Sequence, residues 1–304
     1  MRVQVGRRSV SVARVPLVLI TGASTGIGRA TALHLQGEGW TVLAGVRDAE
    51  TGERLRAEGR GPWELIPMLL DVTDAVQVAA AAQRVRTLTG TSELDPSASA
   101  AGRLDALVNN AGIGVGGPVE LIAAEDLRRQ FDVNVFGQVA VTRTLLPALR
   151  AARGRIAFVS SIGGRVAMPF TAPYAASKHA IEAFGDSLRV ELHSSGVQVT
   201  LIEPGSVATA IWDKSREEAD RLSVPPELQA QYGHIPAAMD KVLQDTARRG
   251  VPPSLVAETI ERALTARRMR ARYVVGRDAR VMLAVRRLLP DLAFDRLARR
   301  ALGV

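Results

Sequence analysis

The 304-residue chain contains no cysteine, which excludes a disulfide framework, thiolate metal sites and a cysteine nucleophile, and points to a reducing, cytoplasmic setting. Its four histidines, His34, His179, His193 and His234, have no metal-ligand spacing, so no metal is expected. Aromatic residues make up only 4%, and no helix-turn-helix, finger or stacking pattern accompanies the net charge of +8; nucleic acid is not an expected partner. No apolar run is long enough to cross a bilayer, the longest being strand-sized, such as Val15 to Ile20. No Pro/Gly/Ser-rich linker divides the chain, and no repeat is present.

Acidic residues are scarce in one region. Residues 251–304 hold 12 Arg against 5 acids, so nearly all of the positive excess lies there and the remainder is close to neutral. With 47% hydrophobic and 23% charged residues, the composition is that of a globular protein with ample length for a core.

Short β-branched or Leu-rich runs alternate with longer Ala-rich amphipathic segments, the pattern of parallel strands buried between helical layers. The fold class expected is α/β, a doubly wound parallel sheet of about seven strands in a single domain with a C-terminal helical extension. Strands are expected at Val15–Ile20, Thr41–Val46, Glu64–Leu69, Leu104–Asn109, Arg155–Ser160, Val197–Glu203 and Arg272–Val275. Residues 1–14 read as a flexible tail, 15–280 as the domain and 281–304 as the extension. Thr87–Gly102 reads as a surface loop. The stretch of about 206–253, where Pro225, Pro226, Pro236, Pro252 and Pro253 break any long helix, reads as a substrate lid leaving a strand's carboxyl end.

The first expected strand runs into Thr21-Gly22-Ala23-Ser24-Thr25-Gly26-Ile27-Gly28 and then a helix, the context of a dinucleotide-binding turn. Gly22 permits the tight turn, Gly26 lets the backbone approach a pyrophosphate, and Gly28 lets helix pack on strand, with phosphate at the helix N-terminus. The spacing is TGxxxGxG. Asp71-Val72, Asn109-Asn110-Ala111-Gly112, Asn134, Ser161, Tyr174-x-x-x-Lys178 and Pro204-Gly205 follow in that order.

This ordered set, across about residues 15–210, resembles the single-domain short-chain dehydrogenases/reductases, whose domain is a Rossmann fold. The resemblance implies an oxidoreductase that moves hydride between nicotinamide and an alcohol or ketone. Tyr174 and Lys178 stand one turn apart on one helix face; a neighbouring ammonium is expected to favour the phenolate and lower the Tyr174 pKa, making it a general acid/base. Ser161 would hold the carbonyl oxygen, with Ser160 competing for that role. The resemblance further implies that Lys178 binds the nicotinamide ribose and that Asn134 holds a proton-relay water. It places Asn110, Ala111 and Gly112 along the cofactor pocket, Asp71 and Val72 at the adenine, and Pro204, Gly205, Val207 and Thr209 around the nicotinamide; Asn109 would steady the sheet.

After the second strand the chain reads Ala44-Gly45-Val46-Arg47-Asp48. The positions that favour NAD when acidic, Gly45 or Val46, are uncharged, and Arg47 is placed to meet a ribose phosphate, with Ser24 adding a hydroxyl. NADP(H) is therefore expected, unless Asp48 neutralises Arg47. The substrate walls expected are Ile162, Gly163, Val166, Met168, Pro169 and Phe170, with Ile211, Trp212, Tyr232 and Met239 from the lid. They are mostly apolar, which suits a hydrophobic secondary alcohol or ketone, steroid-, retinoid- or polyketide-like. Val281 to Leu302, interrupted by Pro290, reads as two short basic amphipathic helices that could lie on an anionic membrane or pack on the domain or a partner subunit; this end resembles, weakly, family members acting on steroid or retinoid alcohols. The resemblance also implies a homodimer or homotetramer formed through helices near 125–150 and 173–194. The alternative class is a non-catalytic nucleotide-sensing or scaffolding protein of the same fold.

Overall fold

A computed structural model describes residues 14–90, 101–209 and 224–302. Seven strands, β1 (Leu17–Ile20), β2 (Thr41–Val46), β3 (Leu65–Leu69), β4 (Ala106–Asn109), β5 (Arg155–Val159), β6 (Gln198–Pro204) and β7 (Arg272–Val275), form one sheet in the order β3-β2-β1-β4-β5-β6-β7. Every pairing is parallel. The sequence expectation is met in class and strand number, with end positions differing by one or two residues.

The alternation of side chains along each strand splits the core into two layers. Leu17 and Leu19 of β1, Leu43, Leu107 and Phe158 face one layer. Val18 and Ile20, with Ala44, Val108 and Ala157, face the other. The first layer is closed by α3 (Ala75–Thr89), α5 (Gln138–Ala152) and α6 (Ala172–Glu191); the second by α1 (Gly26–Gly37) and α2 (Ala49–Glu58). Pro67 is tolerated in β3 because that strand is an edge; its ring lies against Gly52 of α2.

Before α5, α4 (Ala124–Phe131) passes into a π-helical turn at Asp132–Gly137. In the segment where prolines were expected to break any long helix, Ile235–Arg249 forms a helix, α7, with Pro236 in its first turn. Proline there breaks nothing, because the first-turn N–H groups have no intrahelical acceptor. α8 (Pro253–Thr265) then covers the second layer through Val256, Ile260, Ala263 and Leu264.

Beyond β7, α9 (Arg277–Leu288) and α10 (Asp291–Leu302) flank Pro290, so the helical segment starts at Arg277, ahead of the expected Val281. Phe294 and Ala298 pack on Val166, with Met168, Met282, Leu283, Val285 and Leu289 around them. Val166, expected to line the substrate site, is thus core. The sheet order reverses between β1 and β4, the switch point at whose carboxyl edge such sheets bind ligands.

Candidate active site

At the end of β1, the buried Thr21 Oγ1 accepts hydrogen bonds from the N–H groups of Asn110 and Ala111, each at 2.9 Å. The loops after β1 and β4 are therefore locked together. Gly22 has φ +64°, and a Cβ there would stand 2.8 Å from Ala111 Cα. A Cβ on Gly28 would overlap the Gly22 carbonyl oxygen and lie 2.5 Å from Asn110 Nδ2, the amide that donates to the carbonyls of Thr21 and Gly22 at 3.0 Å each. Gly26 has φ +55° and abuts the Thr209 side chain.

α1 starts here without a side-chain cap from Thr25 and with no acid in its first turn. Its leading N–H groups and the positive end of its dipole are left for an anion. Together with the close-packed glycines, this donor set fits the diphosphate of a dinucleotide. Thr25 is exposed, and Ser24 and Ile27 are half-buried beside it.

On the adenosine side, Gly45 is packed against the Ile20 carbonyl and Leu70, and Val46 is buried. Arg47 is exposed. Asp48 caps α2, accepting from Thr51 N at 2.7 Å; that hydrogen bonding, helped by smaller pulls from Arg54 and Arg47, holds its carboxyl below the ordinary range. Asp71 Oδ1 accepts from Thr73 N at 2.9 Å and Thr73 Oγ1 at 2.6 Å. Val72 is taken up in the core, where it faces Gly137.

Ser161 follows β5 and caps a single 3₁₀ turn, Ile162–Gly164, with its Oγ accepting from Gly163 N at 3.0 Å. Tyr174 lies in the first turn of α6, across Gly163 from Ser161. Gly163 fits closely between them: a Cβ there would meet Tyr174 Cε1 at a tight 3.2 Å and Ser161 Oγ at 3.5 Å. Ser160 faces the other way, toward Glu182 and Gly164.

One turn along α6, the buried Lys178 donates from Nζ to the Val159 carbonyl at 2.8 Å, with Nζ 5.7 Å from the Tyr174 ring centre. Burial pulls its pKa down to about 8, against an opposing pull from Glu182. The Tyr174 phenol differs from the sequence expectation. Burial raises its pKa and the proximity of Ser161 only partly offsets this, because taking the phenolate out of water is the larger effect.

The π-helical turn aims Asn134 inward, fully buried. Its Oδ1 accepts from Ile113 N at 2.8 Å, and its Nδ2 donates to the Ile113 carbonyl at 2.9 Å and to Ser177 Oγ at 3.1 Å. Ser177 in turn donates to the Tyr174 carbonyl at 2.7 Å. Gln130, one turn before Asn134, accepts from Val115 N at 2.6 Å and donates to the Ile113 carbonyl at 2.9 Å. These bonds clamp the loop carrying Gly112 to the Tyr174 helix. Gln130 and Ser177 were not singled out from sequence, although Gln130 has the i, i+4 spacing from Asn134 that would place it on the same face. Asn109 donates to Thr142 Oγ1 at 2.8 Å inside the core.

Past β6, the buried Pro204 is followed by Gly205, which donates from N to the Val275 carbonyl at 2.9 Å and is crowded by Asp278 of α9. Asp278 accepts from Ser206 N at 2.8 Å, a tie with no signal in the sequence. Val207 is buried and bridges to Val251. On the substrate side, Ile162, Met168, Pro169 and Phe170 are half-buried. Phe170 has φ +65°, a strained value for a non-glycine residue, and its carbonyl accepts from Gly117 N at 2.7 Å. Met239 of α7 reaches Gly116, whereas Tyr232 is drawn off to Glu120 at 2.9 Å. Ile211 and Trp212 lie outside the described residues. A cavity of about 560 Å³ opens between Ala167–Pro169 and the Leu292, Phe294 and Ala298 face of α10.

A family model for short chain dehydrogenases matches residues 16–220. The chain is 34% identical over 284 residues to the NADPH-dependent 3-dehydrocapnine reductase of Ornithobacterium rhinotracheale, covering 92% of this chain and 94% of that protein. It is 37% identical over 298 residues to human retinol dehydrogenase 16, with 95% and 89% covered. Among solved structures, a short chain dehydrogenase/reductase from Burkholderia phymatum in complex with NAD superposes with a TM-score of 0.72 at 28% identity, covering 90% of this chain and 92% of that one.

Proposed function

The chain belongs to the short chain dehydrogenases, oxidoreductases that work between CH–OH and C=O groups with a nicotinamide dinucleotide, and on that premise we propose that it is an NADP(H)-dependent reductase of hydrophobic ketones. The observation that carries this reading is the Ser161–Tyr174–Lys178 cluster at the carboxyl edge of the sheet, beside the uncapped glycine turn.

The bound coenzyme supplies the hydride; the chain supplies the proton and the stabilisation of the developing oxyanion. With its pKa raised by burial, Tyr174 is a neutral phenol at neutral pH and gives its proton to the carbonyl oxygen. Ser161 Oγ already accepts from Gly163 N, so its hydroxyl hydrogen is the part left to donate to the same oxygen. Lys178 lends its positive charge beside the phenol and would hold the nicotinamide ribose. Asn134, through Ser177 and Ile113, fixes the spacing between that helix and the β4 loop.

The preference for NADP(H) rests on Arg47, which makes no ion pair among the described residues while Asp48 is committed to its cap. The name of the Ornithobacterium relative agrees with it. The apolar Ile162, Met168 and Phe170 and the cavity at α10 support a lipid-like alcohol or ketone, the class to which retinol belongs. Phe136, Phe184 and Val190, exposed on the π-helical turn and α6, support assembly through these helices, to be read by light scattering. A peripheral contact with anionic lipid belongs to the same reading. The outer face of α9 and α10 exposes Val281, Leu288, Leu292 and Leu297 among seven Arg and three Asp.

The test is fluorescence titration with NADPH and NADH, followed by loss of reduced coenzyme over a panel of hydrophobic ketones. NADPH should bind more tightly, Arg47→Ala should erase the preference, and Tyr174→Phe should keep binding while losing turnover. A preference for NADH untouched by Arg47→Ala, or turnover surviving in Tyr174→Phe, defeats the corresponding assignment. NADPH binding without turnover on any ketone would favour the sensor reading.

A further inference from the structure

Behind the Tyr174–Lys178 pair lies a polar cluster that proton transfer does not use. Glu182 stands one turn beyond Lys178 on α6 and is 5% exposed; Glu203, near the end of β6, is fully buried. Arg272, the first residue of β7, reaches Glu182 at 2.9 Å, Glu203 at 3.0 Å and Asp186 at 2.6 Å. Arg165, in the loop after the Ser161 turn, reaches the same Glu203 oxygen, Oε1, at 3.1 Å. The cluster is packed hard against the catalytic loop: a Cβ on Gly164 would meet Glu182 Cγ and Ser160 Oγ at 2.9 Å and the Lys178 carbonyl at 3.0 Å. One oxygen of each glutamate, Glu182 Oε1 and Glu203 Oε2, has no protein hydrogen-bond partner among the described residues.

Two buried carboxylates near one catalytic ammonium are costly unless the charges offset one another. Arg272 and Arg165 are both engaged with Glu203, and Arg272 alone divides itself among three acids. Lys178 stands one turn before Glu182 on α6; its own hydrogen-bonded partner, the Val159 carbonyl, carries no charge and adjoins Ser160, whose Oγ gathers with Glu182 Cγ at Gly164. We infer that Glu182 is a positioning residue that keeps the Lys178 ammonium charged and seated under Tyr174, and that Arg272 holds Glu182 in place, so that the start of the last strand governs the ionisation of the catalytic helix. The electrostatics agree in direction: Glu182 pulls against the effect of burial on Lys178, whereas burial first and Glu203 second raise the Glu182 pKa, against the pull of Arg272. The consequence for activity rests on the reductase reading; the consequence for Lys178 does not.

The sequence makes a direct test practical, since Lys178 shares the chain with only two other lysines, Lys214 and Lys241. In full-length protein labelled with ¹³C at lysine Cε, the Lys178 signal, assigned by its loss in Lys178→Arg, is followed by NMR as pH is raised. In Glu182→Gln its midpoint should fall by about one pH unit. Glu203→Gln relieves the competing carboxylate, so there the midpoint should hold or rise. The alkaline limb of kcat/KM should move with the midpoint, and Glu182→Asp should restore part of the shift. An unchanged Lys178 midpoint in Glu182→Gln, or equal falls in both variants alongside a lower Tm, overturns the inference and leaves the cluster purely structural. A shifted midpoint in a protein that turns over no ketone would sustain the inference and count against the reductase reading.

Discussion

Replacing Gly28 with alanine tests whether the glycine turn is fixed by sterics. The new Cβ would run into the Gly22 carbonyl oxygen and stand 2.5 Å from Asn110 Nδ2. The first is backbone, pinned by the turn after β1, and cannot rotate away as a flexible side chain would. Overpacking of this kind costs roughly 1–3 kcal/mol. Displacing the Asn110 amide from the carbonyls of Thr21 and Gly22 costs about 1 kcal/mol for each bond lost. The sum, about 3–5 kcal/mol, corresponds to a fall in Tm of roughly 5–8 °C for a chain of this size. Because the displaced atoms lie at the first turn of α1, NADPH affinity should fall more than about tenfold. The internal control is Gly37→Ala at the other end of the same helix, where nothing lies within 4 Å of the new Cβ; it should be neutral or stabilise by up to about 1 kcal/mol. Thermal unfolding and coenzyme titration read both variants. A Gly28→Ala protein that melts and binds as the wild type does would refute the steric account of the turn.

Burial of Lys178 has a signature in the pH dependence of stability. Its pKa falls from 10.5 to about 8 on folding, so between these values the unfolded chain holds the proton more firmly and stability rises with pH. Relative to Lys178→Met, wild type should gain up to about 3 kcal/mol across that window and show no differential change below pH 8; a flat difference above pH 8 would contradict the burial. The outer face of α9 and α10, where Leu288 is 79% and Leu292 is 73% exposed, should bind phosphatidylserine-containing vesicles, weaken as salt rises, and lose binding in Leu288→Asp/Leu292→Asp with Tm unchanged. Equal binding to neutral vesicles, or binding that survives the double variant, would remove lipid as its partner.

The central strands were legible because they are buried on both faces and stand out as apolar runs, as in Leu17–Ile20 and Ala106–Val108. The glycine turn was legible because its positive φ angles and close approaches tolerate glycine alone. Pro236 was misread for a local reason, since proline at the start of a helix and proline inside one look alike until the start is known. Val166 was assigned to the substrate site because an apolar residue in a loop gives no sign of which side α10 will cover.

By itself, the sequence determined what depends on local periodicity and on residue type: the parallel sheet, the turn that admits only glycine, and the one-turn spacing of Tyr174 and Lys178. Tertiary structure alone decided what depends on distant segments meeting. Burial raised the Tyr174 pKa where neighbouring charge suggested the opposite, Ser160 and Ser161 were assigned to opposite sides of one loop, and Arg272 was brought from the last strand to the acids behind the catalytic helix. Desolvation and ion pairing are set by what surrounds a group in space, and a linear sequence does not carry that information.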